Sequence, residues 1–303
     1  MKLHHLRDFV AIAETRSIRG ASRCLGLTQP ALTRSLRELE AELGTPLLER
    51  HARGVVPTPI GEAFLRRAHA AMEEIRRAEE EVAQLRGRQT GTVAMGLSGG
   101  TWLGLVPEVF PVFRKSHPGV RLHMVEGFFP ALEARLADGT LDFYIGPRPE
   151  RIDADRYRVD LLFGNHRLVA CRAGHPRRKA RRLAELIDAE WILTGALEPL
   201  EREFSEVFAG YGLVPPVSMV QTDSMIGVAA LLSMTDALAL LPRQWIDSPL
   251  FAGVLEVIPI AERIGSADIV RIARAGLPLT PAASHLATLF ERAAGHYARR
   301  EGG

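Results

Sequence analysis

The sequence predicts an α/β chain in three parts: an N-terminal winged helix-turn-helix, a long linker helix, and a larger two-lobed α/β domain. Three patterns predict it. Apolar residues recur at helical spacing in three short stretches before residue 44, a heptad pattern follows residue 58, and strand and helix signals alternate from residue 90 onward. The expected domains are 1–58, 59–89 and 90–303, with one lobe over about 90–163 and 266–303 and the other over about 164–265.

The chain has 303 residues, 47% apolar and 24% charged, which suffices for two ordinary cores and excludes a disordered or fibrous chain. No run of about 18 apolar residues offers a membrane helix, and the opening MKLHHLRDFVAIAE carries acids where an export signal would be apolar, so a cytoplasmic location is expected. Cys24 and Cys171 have no Cys or His at metal-ligand spacing; both read as small buried hydrophobes, with no disulfide framework, metal or cofactor expected. Residues 1–58 hold nine Lys or Arg against six acids while the remainder is about neutral, a bias that matters only through its position.

In the first module Leu3, Leu6, Phe9, Val10 and Ala13 form the stripe of a first helix. Ser17 can cap a second helix burying Ile18, Ala21, Cys24 and Leu25, which Gly26 ends. Thr28 then stands as N-cap ahead of Gln29-Pro30, where proline is harmless because the first helical N–H groups lack partners. In this third helix Leu32, Leu36, Leu39 and Leu43 share one face. Pro30, Arg34 and Arg37 lie opposite, with Gln29 and Thr33 at the N-terminal flank, and Glu38, Glu40 and Glu42 are expected to point away from any duplex. Glutamine and arginine pair with base edges in a major groove, and a threonine at a helix N-terminus suits phosphate, so this is the composition of a recognition helix. The following TPLLERHARGVVPTPIGEAFL reads as two short strands around a basic turn, then a helix capped by Thr58 with Pro59 in its first turn. Arg50 and Arg53 on this wing would touch the minor groove or the backbone.

From Thr58 to about Gln89, Phe64, Ala68, Ala71, Ile75, Ala78, Val82 and Leu85 repeat in alternating steps of four and three. A seam of that period on a helix of roughly 45 Å needs a cover, and a second copy of the chain is expected to supply it, the alternative being a domain of the same chain folded back. Two recognition helices on one frame read half-sites about one turn apart, so twofold double-stranded DNA sites are expected.

SIRGASRCLGLTQPALTRSLRELEAELGTPLLERHARGVVPTPIGEAFL closely resembles the signature of LysR-type transcriptional regulators, densely over residues 1–90. The carrying motifs are the T-Q-P-A-L-T-R opening of the third helix, the E-x-x-L-G-x-x-L-L-x-R turn into the wing, and the T-x-x-G entry to the linker. The resemblance implies that Gln29, Pro30, Thr33 and Arg34 lie at the DNA with Arg50 and Arg53 on the wing. It implies homodimers or homotetramers and an effector domain of the periplasmic-binding-protein type; RNA polymerase is a further partner to expect of a transcription regulator.

In the C-terminal domain TGTVAMGLSG, a helix to Lys115, RLHMVEG, a helix to about Ala137, and LDFYIG follow βαβ order. LLFGNHRLVACRAGHP, WILTG, VSMVQT and ALALLP, with helices near 199–210 and 224–233, make a second set before LEVIPI, ADIVRIARAG and a last helix from Pro281 to about Arg300. Ligands in such sheets bind beyond the strand carboxyl ends. That rule selects Ser98, Gly99, Gly100, Thr101, Phe128, Phe129, Gly146, Pro147, Thr194 and Thr222. The glycines offer backbone N–H groups to a carboxylate or sulfonate and the phenylalanines an apolar wall, so a small aromatic or organic acid is the expected effector. His166 and His175 lack metal-like partners, and His175-Pro176 reads as a surface turn. The other classes weighed are an enzyme with a fused DNA anchor, for which no G-x-S-x-G, Walker A, H-E-x-x-H or paired-carboxylate pattern is found, and a ligand carrier, which would need an export signal.

Overall fold

The computed structural model describes residues 1–51, 54–194 and 197–301. The chain divides into two compact units, Met1–Arg86 with Ala137–Thr140, and Gly87–Leu136 with Leu141–Gly303.

In the first unit, α1 (Leu3–Thr15), α2 (Ile18–Leu25) and α3 (Gln29–Leu43) precede β1 (Leu48–His51), β2 (Gly54–Pro57) and α4 (Pro59–Leu85). The local chemistry behaves as the residues require. Ser17 accepts from the Gly20 N–H, Thr28 from Ala31 and Thr58 from Gly61, while Gly26 and Gly44 close α2 and α3 at φ of 67° and 69°. Phe9, Ile12, Leu32, Leu39 and Leu47, all fully buried, form the core with Leu36 and Ala21. Three residues expected inside are outside: Leu3 and Leu43, 47% and 40% exposed, sit in a first and a last helical turn beyond the reach of the core, and Cys24 is exposed on α2. β1 and β2 pair antiparallel from Leu48 opposite Pro57 to His51 opposite Gly54, forming the wing. The linker helix ends at Leu85, four residues short of the expected Gln89, because Gly87 at φ +82° leaves the helical region.

The second unit begins with β3 (Thr92–Leu97), α5 (Gly99–Gly104), α6 (Val106–Ser116), β4 (Arg121–Glu126), α7 (Phe129–Ala137), β5 (Phe143–Pro147) and β6 (Tyr157–Phe163). The helix expected to run unbroken to Lys115 is divided at Leu105, since Pro107 supplies no N–H to a continuing helix and opens a new one. There follow β7 (His166–Arg172), β8 (Trp191–Thr194), α8 (Leu197–Ala209), β9 (Ser218–Thr222), α9 (Met225–Met234), β10 (Leu238–Pro242), α10 (Arg243–Ile246), β11 (Leu255–Ile258), β12 (Ile264–Gly265), β13 (Ile269–Arg274) and α11 (Pro281–Glu301).

Two sheets result. One has strand order β4-β3-β5-β13-β6, with β3 parallel to β4 and β5 and β13 antiparallel to β5 and β6. The other has order β11-β7-β10-β8-β9, with β12 added to β7. The chain crosses between them at Gly164–Asn165 and again at Ser266–Asp268, so LLF and HRLVACR, separated by only two residues, belong to different lobes. The first lobe packs Met95, Phe143 and Ile145 against Val109, Phe113 and Phe290. On β10 the period of two is plain: Leu238 and Leu240 join Trp191 and Phe208 on one face, Ala239 and Leu241 join Val228 and Trp245 on the other. His175 is 2% exposed rather than on the surface, with Nε2 against the Asp236 carbonyl at 2.9 Å and Nδ1 accepting from the Arg177 N–H at 3.0 Å. It holds a turn in place.

Candidate functional site

The first site is the outer face of α3. Gln29, Pro30, Thr33, Arg34, Arg37, Glu38 and Ala41 line one continuous, shallow surface. Its inner counterpart Leu32, Ser35, Leu36 and Leu39 is buried, so packing fixes which side chains turn outward. Thr28 is exposed at the helix N-terminus, its hydroxyl accepting from Ala31 at 3.4 Å. The Arg34 side chain is 83% exposed and its Nε donates to Glu38 Oε1 at 2.8 Å. Glu38 therefore shares the basic face, contrary to expectation, because it stands one helical turn from Arg34. The hydrogen bond from Arg34 holds the Glu38 carboxyl below the usual range. Glu40 acts elsewhere, its Oε1 accepting from the Leu47 and Leu48 N–H groups at 2.8 and 3.2 Å and so fixing the turn into the wing. Arg50 is exposed on β1, and Arg53 lies outside the described residues.

The second feature is the stripe on α4. Phe64 and Ala68 are consumed by the module's own core, Phe64 lying 5.5 Å from the Phe9 ring and Ala68 being 2% exposed, so they are not free for a partner. From there on the stripe is open: Ala71 and Ala78 are exposed, as are Ile75, Val82 and Leu85 at 36%, 57% and 72%. On the flank Arg76 bridges Glu73 and Glu80 at 2.8 and 2.7 Å.

The third is a cleft between the two lobes of the second unit. Of the residues selected from strand ends, Ser98, Gly99, Gly100, Phe128, Pro147, Thr194 and Thr222 line it. Three do not. Thr101 is buried with its hydroxyl 2.9 Å from Ser98 Oγ. Phe129, 3% exposed, packs edge-on to Tyr144 and Tyr157 and borders an adjoining cavity that shares Phe128, Pro147, Arg167 and Thr194 with the cleft. Gly146 is a packing glycine, since a Cβ there would lie 2.1 Å from Tyr144 Oη.

The residues selected from the sequence leave out the remaining wall. Asn165 and Ser266 come from the two interlobe crossings, Arg167 from β7, Glu126 and Gly127 from the end of β4, Asp223, Met225 and Val228 from the start of α9, and Pro242, Gln244, Trp245 and Ile269 complete it. Gly100 and Gly104 let α5 approach the opposite lobe. Cβ atoms there would lie 3.2 Å from Pro242 and 2.7 Å from Gln244 Cγ, respectively. Burial raises the Glu126 carboxyl above the usual range, the Met225 N–H opposes this, and the Asp223 carboxylate adds to it. Arg167 is paired with Glu203 at 3.1 Å. Among the described residues no group of three or more His, Cys, Asp or Glu could hold a metal, and no helix is long and apolar enough to cross a membrane.

A winged helix-turn-helix joined to a two-lobed domain with a cleft defines a DNA-binding regulator with a ligand-receiving module. The family model "Bacterial regulatory helix-turn-helix protein, lysR family" matches residues 3–62 and "LysR substrate binding domain" matches residues 86–295. The chain belongs to the LysR family, whose members are transcription regulators rather than enzymes. It is 29% identical over 266 residues to the HTH-type transcriptional regulator GbpR of Azospirillum brasilense, covering 87% of this chain and 78% of that protein. It is 30% identical over 295 residues to the SDS degradation transcriptional activation protein of a Pseudomonas species, covering 95% of each. In fold it is similar to CbnR, a LysR family transcriptional regulator, with a TM-score of 0.70 over 97% of this chain and 99% of that one at 21% identity. Full-length CbnR complexed with its target DNA gives the same TM-score over 97% and 100% at 22% identity.

Proposed function

We propose that two copies of this chain pair through the open stripe of α4, set their α3 faces into major grooves of a twofold DNA site, and change transcription when a small organic effector enters the interlobe cleft. The observation that carries the reading is the α3 surface, where a buried leucine face forces Gln29, Arg34 and Arg37 outward, and Arg50 is exposed on β1. Gln29 and Arg34 read bases, while Thr28, Thr33, Arg37, Arg50 and Arg53 hold phosphates or the minor groove. Asn165 and Ser266 sit where the chain crosses between lobes, which supports coupling of effector binding to lobe geometry. Such a ligand must bind one arrangement more tightly than the other. The similarity to a relative named as a transcriptional activation protein supports RNA polymerase as a further partner, and work on DNA supports a cytoplasmic location.

Arg34→Ala should weaken operator binding by about 1–3 kcal/mol, roughly five- to 150-fold, the worth of one good base contact. The melting temperature should hardly move, because the side chain is exposed. A gel shift on the chain's own promoter, run beside thermal denaturation, checks both. Unchanged affinity would remove Arg34 from the interface.

A further inference from the structure

We infer that the cleft receives an uncharged, hydroxyl-rich small molecule rather than an organic anion, an inference that rests on the cleft being the effector site. The balance of hydrogen-bonding groups on its wall carries the argument. The charged lining residues are Glu126, Asp223 and Arg167, and Arg167 is already engaged by Glu203. An anionic ligand would thus meet two carboxylates and one neutralised cation. An ammonium group only donates, so it would suit the carboxylates but could accept nothing from the threonine hydroxyls or the guanidinium N–H groups.

The second observation is Gln244, 3% exposed, whose Oε1 has no hydrogen-bond partner. That atom lies 3.7 Å from where a Cβ on Gly100 would stand, so it faces the same lining. A buried acceptor left unpaired pays its desolvation without return, and a donor from a ligand would supply the missing bond. Beside it, Glu126 Oε1, Trp245 Cζ2 and Met225 Sδ converge within 3.5–3.6 Å of the Cβ position of Gly99. The glycines that promised N–H groups for an anion have another use in part, since Gly100 and its neighbour one turn on, Gly104, seat α5 against Pro242 and Gln244. Hydroxyl groups donate and accept at once. They match the carboxylates and the amide oxygen of the lining as well as its arginine and threonines.

The test uses the full chain in thermal-shift and calorimetric titrations with D-galactose, D-glucose, L-arabinose and myo-inositol as uncharged probes, benzoate and hexanesulfonate as anions, and putrescine as a cation. At least one uncharged probe is expected to bind saturably. Glu126→Ala should weaken that binding at least tenfold, and Gly99→Leu, whose Cβ meets only ordinary contacts while the rest of the side chain fills the cleft, should abolish it. Melting of the unliganded variants shows that they fold. If an anion or the diamine binds instead and Gly99→Leu blocks it, the ligand class is wrong and the cleft reading stands. If binding survives Gly99→Leu, the cleft reading fails as well. If no uncharged probe binds, the inference is overturned.

Discussion

Gly61→Ala is expected to destabilise the DNA-binding module by about 1–3 kcal/mol or more, the range for forcing atoms into a packed interior. In an ordinary helix the sign would be opposite, since glycine costs roughly 1 kcal/mol relative to alanine there. Contact decides. A Cβ on Gly61 would lie 1.9 Å from the Leu47 carbonyl oxygen and 2.9 Å from its carbon, both backbone atoms that no rotamer change can move aside. The same carbonyl accepts from the Thr58 N–H at 2.9 Å, and the Thr58 hydroxyl accepts from the Gly61 N–H at 2.9 Å. The start of α4 is therefore locked to the segment entering the wing, and pushing Gly61 away breaks the cap and the wing's footing together. Thermal denaturation and a gel shift on the full chain should show a lower first transition and weaker DNA binding. Thr58→Ala, which removes the cap without adding volume, should cost less, about 1 kcal/mol. A Gly61→Ala protein as stable as the parent would mean that wing and helix do not touch here.

Legibility in the sequence followed the range of the interaction. Ser17, Thr28, Thr58, Gly26 and Gly44 cap or end helices through bonds to residues within five positions, so their roles could be read from neighbours alone. The strand-end rule found seven residues of the cleft because β3, β4, β5, β8 and β9 each end there. β10 ends there too, with Gln244 and Trp245 in its continuation, but LALLP closes without the hydroxyl or glycine that marks the other strand ends. Asn165 and Ser266 become visible only once the interlobe crossings are recognised as cleft walls. Glycine was the least legible type. Gly99, Gly100 and Gly146 look alike in sequence, yet a Cβ would meet only ordinary contacts at the first and press on Pro242 and Tyr144 at the others. Phe64 and Ala68 show a related ambiguity, since one heptad stripe serves the module's own core at its start and lies open farther along.

The open part of that stripe sets the second large expectation. Replacing Val82 and Leu85 together by glutamate should leave the melting of each unit unchanged, because both side chains are exposed in the single chain. Nothing is lost within one copy. Between two copies, the same positions would bury apolar area worth about 1.5–3 kcal/mol for each fully covered aliphatic side chain. The substitution removes that gain and sets new carboxylates beside Glu79, Glu80 and Glu81, facing their equivalents across the seam. Pairing then has to bring like charges together out of water, which costs more than the lost packing alone. A single recognition helix engages one half-site, whereas a paired frame makes the second half-site contact intramolecular, an advantage on the order of 10²–10⁴ in affinity. Operator affinity of the double variant should therefore fall by about a hundredfold or more, with sedimentation of the full chain shifting toward smaller species. An Arg76→Ala control on the flank, where the side chain serves Glu73 and Glu80 in its own helix, should do far less. If the double variant holds the operator as tightly as the parent, α4 is not the element that joins the two DNA-reading ends, and pairing must be sought on another surface.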